Sequence, residues 1–516
     1  MSLFSILFIS LCMILSIFSN KSEAKTFSFK EASIDDIHIA FKQNRLTSRQ
    51  LVEFYLSESQ KANPILKGII EVNPDALFLA DRADQERKSG VPLSSRLHGI
   101  PVLVKDNIAT KDKLNTTAGS LALVGSIVPS LALVGSIVPQ DAGVVKKLRN
   151  ASAIILGKAT MTEWAAFRTE NIPSGWNGRL GQALNPYVAS ADPSGSSTGS
   201  ATSVAANLAA VALGTETAGS ILYPANSNSV VGVKPTVELT NRAGVIPISQ
   251  LQDTVGPICR TVSHAVEVLD VIVGIDRDDF PATKKASTYI PHGGYRQFLK
   301  ADELKHKRLG ILKDLFGSND IKACQHHFNT LRQKGAVLVD NVEVPNINLV
   351  YSAIVNAQDI ALFAEFKMDL NAYLKKLVHT QVRSLADVIA FNKISASEKF
   401  KEYGQGIMMA AEKTNAIGKL EREALRNITK VCKYKFEKMI KVNKLDALMS
   451  PGADIASLLA VEGYPGINVP AGYDKSGVPV GISFGGLKGS EPTLIEIAYG
   501  FEQATHIRKP PPSHPR

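Results

Sequence analysis

The chain has 516 residues, a formal net charge of +10, 45% hydrophobic residues and 21% charged residues. This is the balance of a globular protein with a large core, and it excludes collagen-like, low-complexity and intrinsically disordered classes. No long Lys/Arg run is interleaved with aromatics, so the charge reads as a solvated basic surface and nucleic-acid binding is not expected.

From the amino terminus, Leu3 to Phe18 is almost wholly apolar, and Ser22-Glu23-Ala24 supplies small residues where a signal peptidase cuts. Residues 1–24 are therefore expected to be a signal peptide, placing the protein in the secretory pathway and outside the cell. The apolar run is short for a membrane span. Its removal takes Cys12 and leaves Cys259, Cys324 and Cys432, so at most one disulfide can close within the chain. Three glycosylation sequons begin at Asn115, Asn150 and Asn427.

Ile100–Val104 reads as a strand that delivers Lys105 at its end. Ser120 to Pro129 is then followed at once by an identical copy, Ser130 to Pro139. Two perfect copies do not make a solenoid, which needs several units. Ten extra residues in a helix would add about 15 Å and turn the following face, so the surplus copy is expected to be looped out. Pro129 and the scattered Ser and Gly argue against a spanning helix here.

Asp141–Asn150 reads as a helix and Ile154–Leu156 as a strand. Two Gly- and Ser-rich turns follow, Ser194 to Ser200 and Thr215 to Ser220, flanking a small-residue segment expected to be a buried helix from about Ser200 to Val211. Val230–Val233 reads as a strand, Val262–Val273 as a helix, and Leu309–Leu312, Val337–Val339, Ala447–Met449 and Gly466–Val469 as later strands. The alternation points to an α/β fold with a largely parallel sheet. Residues from about 359 to 444 are helical and charged, the expected variable subregion, and Pro510-Pro511-Pro512 closes a tail expected to be disordered from residue 509. No linker divides the chain.

Amide cleavage needs a nucleophile, a base, an acid for the leaving nitrogen and donors for the oxyanion. Thr217-Ala218-Gly219-Ser220 can supply a hydroxyl nucleophile together with close backbone N–H groups. Lys105 can act as a base only when neutral, and burial beside Val102, Leu103 and Val104 favours the neutral amine. Ser196 or Ser197 can carry a proton between them.

The motif Gly99-Ile100-Pro101-Val102-Leu103-Val104-Lys105-Asp106, the turn Ser194–Ser200, the segment Leu213–Pro224, and the blocks Gly232–Thr236 and Asp253–Pro257 together resemble the amidase signature family. Gly181–Pro186 and Tyr464–Pro470 extend the resemblance, which runs from about Phe29 to Arg508 within an expected amidase domain of residues 25–508, with a signature core at about 95–260 and a helical variable region at about 350–445. It implies an α/β fold, a central mixed sheet between helices in a single catalytic domain. It also implies Ser220 as nucleophile, Ser196 in a cis peptide link, Lys105 as base, and the N–H groups of Thr217, Ala218, Gly219 and Ser220 as oxyanion hole. No metal or organic cofactor is implied. The implied partner is a small or peptide primary amide, with no stable membrane span once the leader is removed. The pattern leaves the acyl group and oligomeric state open. Ser194 and Thr198 replace family glycines, Glu216 stands where many members have Asp, and Leu222 where many have Arg.

Three other readings compete. Gly195-Ser196-Ser197-Thr198-Gly199 fits the G-x-S-x-G elbow of another hydrolase fold, which requires a preceding buried strand and a histidine such as His292, His326, His327 or His379. A catalytically decayed secreted binding protein and a fatty-amide hydrolase are the alternatives within the amidase fold.

Overall fold

A computed structural model describes residues 27–90, 95–124, 135–312, 318–340, 347–415 and 433–512, with scattered residues between these ranges. The expected signal peptide and residues 513–516 lie outside the described residues.

Thirteen strands are described: β1 (Ile69–Val72), β2 (Pro101–Lys105), β3 (Ile154–Ala159), β4 (Trp176–Asn177), β5 (Gly181–Gln182), β6 (Val211–Glu216), β7 (Val231–Lys234), β8 (Thr254–Cys259), β9 (Arg308–Ile311), β10 (Val337–Val339), β11 (Ala447–Pro451), β12 (Gly466–Tyr473) and β13 (Pro479–Gly485). Eleven of them form one sheet in the order β1-β3-β2-β6-β8-β7-β12-β13-β11-β9-β10. Every residue of β2, β3, β6, β8 and β11 is buried. Successive strand residues point to opposite faces, so helices and loops cover the sheet on both sides there. This is a single α/β domain.

The sheet is mixed, which corrects the largely parallel sheet read from the alternation. Six of its ten pairings are antiparallel and four are parallel. One of the antiparallel pairs comes from a tight return. β12 and β13 are joined through a turn in which Asp474 Oδ1 accepts from the N–H groups of Ser476 and Val478 at 2.8 and 2.9 Å, so they pair as a hairpin rather than through a helical crossover.

A second correction concerns the buried helix. It runs Thr198–Ala205, and Val211 opens β6 instead of closing the helix. The apolar run Leu208–Leu213 has no period that separates strand from buried helix. Asn207 settles the break with a left-handed φ of 58°, a conformation that Asn tolerates well. All eight helix residues are buried, and at Gly199 an added Cβ would overlap the backbone of Gly68 and Thr160.

The extra decapeptide falls partly on residues 125–134, outside the described residues. What stands on either side is informative. Leu123, from the first copy, accepts at its carbonyl from Ser136 N, of the second copy, at 3.1 Å. Gln381 Nε2 donates to the carbonyls of Ala122 and Val124 at 3.0 and 3.1 Å. Ile137 exchanges backbone hydrogen bonds with residues 378 and 379, and Ser136 Oγ bonds Thr380 Oγ1 at 2.9 Å. The front half of one copy and the back half of the other therefore dock together on residues 378–381.

The variable region contains helices Ile347–Lys376, Leu385–Ile394 and Gly406–Glu412. The tail expected from residue 509 begins with an anchored residue. The Lys509 carbonyl accepts from Tyr187 Oη at 2.7 Å and Tyr473 Oη at 3.0 Å. Among the described residues no helix is long and apolar enough to cross a membrane.

Candidate active site

The parallel register of β2 and β6 builds the site. Val102, Leu103 and Val104 lie opposite Val211, Ala212 and Leu213, so the carboxyl ends of both strands emerge side by side. Ends of parallel strands are where α/β sheets present chemistry. Lys105 thus lies beside Thr215. Its Nζ donates to the Thr215 carbonyl at 3.1 Å and to Ser196 Oγ at 2.8 Å. The side chain is fully buried. Burial pushes its pKa down to about 7, against the opposing pull of the Asp253 and Glu216 carboxylates. Asn107 Nδ2 donates to Thr215 Oγ1 at 3.0 Å and braces the same strand end.

Ser196 is held by the turn before helix Thr198–Ala205. The Gly195–Ser196 peptide bond is cis, as the resemblance implied. The two departures from family glycines meet in this turn. Ser194 adopts a left-handed φ of 58°. Its N–H is held by Asp192 Oδ1 at 2.7 Å and its carbonyl by Thr198 Oγ1 at 2.5 Å. The hydroxyl that replaces one glycine therefore secures the backbone of the other. Ser197 Oγ donates to the Thr215 carbonyl at 3.1 Å and accepts from Thr215 N at 3.2 Å.

Ser220 follows on the turn after β6. Its carbonyl accepts from Ser197 N at 3.2 Å, which hydrogen-bonds the Ser220 turn to the residue after Ser196. Gly219 has φ +95°, and a Cβ there would overlap the Tyr223 ring. Among the described residues, none of the N–H groups of Thr217, Ala218, Gly219 and Ser220 donates a hydrogen bond within the protein. Those groups are available to an outside acceptor. Ala218 is exposed, whereas Thr217 and Ser220 are half-buried.

Glu216 and Leu222 form no ion pair. Leu222 is buried and apolar. The Glu216 carboxylate accepts instead from Ile221 N at 2.6 Å and Leu222 N at 2.9 Å, at the start of helix Leu222–Ser227. An acidic group at a helix start satisfies unpaired N–H groups and favours the dipole. Its charge also reaches Lys234, whose pKa burial lowers to about 8.

Sequence reasoning passed over several residues that surround this centre. Asp253 accepts from Thr217 Oγ1 at 2.6 Å. Arg168 is fully buried between Glu163, at 2.6 Å, and Glu398, at 3.1 Å. Burial, reinforced by the Glu398 carboxylate, holds the Glu163 pKa well above the usual range, which favours its protonated form. Glu398 comes from far along the chain, and no local pattern marks it as a partner of residue 168. The elbow reading finds no support. No buried strand runs into Ser196, and His327 Nε2 lies on the Ala471 carbonyl at 2.5 Å. Among the described residues no histidine hydrogen-bonds Ser196, Ser197 or Ser220.

Comparison with known proteins places these observations. The Amidase family matches residues 50–462. A protein of Arabidopsis thaliana named "Probable amidase" is 57% identical over 491 residues, covering 95% of this chain and 93% of its own length. The native peptide amidase of Stenotrophomonas maltophilia is 38% identical and superposes with a TM-score of 0.86, over 94% of this chain and 99% of its own. A peptide amidase bound to the competitive inhibitor chymostatin is likewise 38% identical, with a TM-score of 0.85 and the same coverage. With its mixed sheet, its Lys105–Ser196 contact and these likenesses taken together, the chain belongs to the amidase signature family and is an amide hydrolase.

Proposed function

We propose that this amidase hydrolyses a small or peptide primary amide to a carboxylate and ammonia through an acyl-enzyme. The observation that carries the reading is the 2.8 Å contact between a fully buried Lys105 and Ser196. A lysine whose pKa is lowered to about 7 is substantially neutral near neutral pH and can take a proton. Ser220 Oγ attacks the amide carbon and passes its proton to Ser196 Oγ, which gives its own to Lys105 Nζ. The oxyanion is received by the free N–H groups of Thr217, Ala218, Gly219 and Ser220. Ser196 then protonates the leaving nitrogen, the C–N bond breaks, and ammonia departs. Water attacks the Ser220 ester, with Lys105 and Ser196 returning as base and relay.

Labelling with a fluorophosphonate probe, mapped by mass spectrometry, tests this directly. The adduct is expected on Ser220 and absent in Ser220→Ala; a folded protein that stays unlabelled refutes the reading and favours a decayed binding protein. Ammonia release from a panel of peptide amides, aryl-acetamides and fatty amides assigns the acyl class. Turnover confined to fatty amides would overturn the primary-amide proposal. By likeness to the inhibited peptide amidase, chymostatin is expected to raise KM without changing kcat.

The leader and the sequons support a secreted glycoprotein. Asn150 is exposed at the end of helix Gly143–Asn150. Asn115 is half-buried with its amide on both Glu71 oxygens, at 3.0 and 3.1 Å, and Asn427 lies outside the described residues. Asn150 is the proposed glycan site. Asn150→Gln, expressed through a secretory host, is expected to abolish the gel shift produced by a peptide N-glycosidase on this sequon.

A further inference from the structure

The turn that carries Ser220 is held at its exit by Glu216 and by the Ser197–Ser220 backbone bond. Its entry is held by one side-chain contact, Thr217 Oγ1 to Asp253 Oδ1 at 2.6 Å. The other Asp253 oxygen accepts from Ile248 N at 2.8 Å and Ser249 N at 3.1 Å. With both oxygens engaged, the carboxylate is fixed in orientation. The loop beneath it is gripped from the variable region. Ser249 Oγ donates to Glu365, and Gln250 Nε2 donates to Asp369 Oδ1 at 3.1 Å. Residues 365 and 369 are one turn apart on helix Ile347–Lys376.

We infer that Asp253 is a positioning residue for the Thr217–Ser220 turn, and that Glu365 orients it through Ser249. The inference rests on Ser220 being the nucleophile. Thr217 is the first of the four residues with unclaimed N–H groups, so a rotation at 217 swings the donors that follow. Small displacements of preorganised donors are costly to rate.

Charge gives this arrangement a signature that a merely structural contact lacks. Asp253 is faced by Arg242, Lys105 and Glu365. Lys105 is faced by Asp253 and Glu216, and Glu365 by Asp369 and Asp253. Burial pushes Asp253 up to about 6 and Glu365 up to about 7. An ionised Asp253 stabilises protonated Lys105 and so opposes formation of the neutral base. The hydrogen bonds of Asp253 favour catalysis, while its charge sets the pH at which catalysis begins.

The experiment compares wild type with Asp253→Asn, Asp253→Ala, Glu365→Ala and Thr217→Val, measuring kcat, KM and the fluorophosphonate labelling rate across pH. Thr217→Val and Asp253→Ala are expected to lower the high-pH plateau of kcat about tenfold or more, with KM little changed, Asp253→Ala also moving the acid limb to lower pH, and Glu365→Ala to lower the plateau less strongly. Asp253→Asn can keep its amide oxygen on the Ile248 and Ser249 N–H groups while its NH2 donates to Thr217 Oγ1, reversing that one bond, and it removes the charge. It is expected to retain most of the kcat at high pH and to shift the acid limb to lower pH. Wild-type kcat and labelling in a folded Asp253→Ala or in Thr217→Val overturns the inference, and Thr217→Val decides the matter if Asp253→Ala does not fold. An unmoved acid limb in Asp253→Asn overturns the role of charge, and wild-type kcat in Glu365→Ala overturns the role of Glu365. Wild type unlabelled at Ser220 defeats the underlying nucleophile assignment, an outcome recognisable before any variant is made.

Discussion

Lys105 concentrates the cost and the use of this fold in one side chain. A fully buried amine favours its neutral form, and the carboxylates of Asp253 and Glu216 keep that shift from going further. Only the neutral form is a base, so activity rises with pH through the folded-state pKa. The acid limb of kcat/KM is expected near pH 7, and a limb below pH 5 would refute Lys105 as the titrating base. Lys105→Met is expected to cost about a hundred- to ten-thousand-fold in kcat, measured as ammonia release. Gly219 is the other residue whose identity is dictated locally. Gly219→Ala has to carry a side chain at φ +95° against the Tyr223 ring. It is expected to lose about 1–3 kcal/mol from backbone strain alone, read from the urea midpoint, and most of its labelling at Ser220. These residues were legible in the sequence because each is announced by a local motif. Asp253 stood inside a recognisable block, but its partner Thr217 lies 36 positions earlier, and nothing in spacing joins two such residues.

At the scale of elements, seven of the strands were legible, β1, β4, β5, β6, β8 and β13 were not read as strands, and strand direction was not legible. Short apolar runs located β2, β3, β7, β9, β10, β11 and β12 to within a few residues; burial on both faces leaves such a run in β2, β3, β7 and β11, whereas the edge strand β10 is apolar though partly exposed. Direction depends on how the chain returns, and a run such as Val231–Lys234 carries no mark of its neighbours. β6 was hidden because alanines serve a buried helix and a buried strand equally well. The duplicated decapeptide gives a sharp test at this scale. Removing ten residues in any register between 120 and 139 yields the same protein, with Val124 joined to Gly135. The flanking residues already bond across that junction, at 3.1 Å between Leu123 and Ser136. The shortened protein is expected to keep or improve activity and thermal midpoint. A clear loss of both would show that the added segment is needed for the native arrangement.

At the scale of the whole molecule, one buried cluster joins parts that are remote in sequence. Arg168 donates to Glu163, to both the side chain and the backbone carbonyl of Glu398, and to the Gly404 carbonyl. The second Glu398 oxygen accepts from Ser120 Oγ at 3.2 Å and Leu121 N at 2.8 Å. Arg168→Met strips the counter-charge from the fully buried Glu398. It is expected to cost about 3–5 kcal/mol, read as a lowered urea midpoint; a midpoint unchanged from wild type would show that the cluster adds nothing net. The helical region around residues 351 to 411 is also the proposed seat of acyl selectivity. Its attachment through Glu398 has a consequence for how new specificities arise by recombination among relatives. The region cannot be exchanged as a cassette, because a grafted version arrives without the glutamate unless the donor shares it, and strands an arginine in the recipient's interior. Successful crossovers are expected to be those that inherit Ser120, Glu163, Arg168 and Glu398 from one parent.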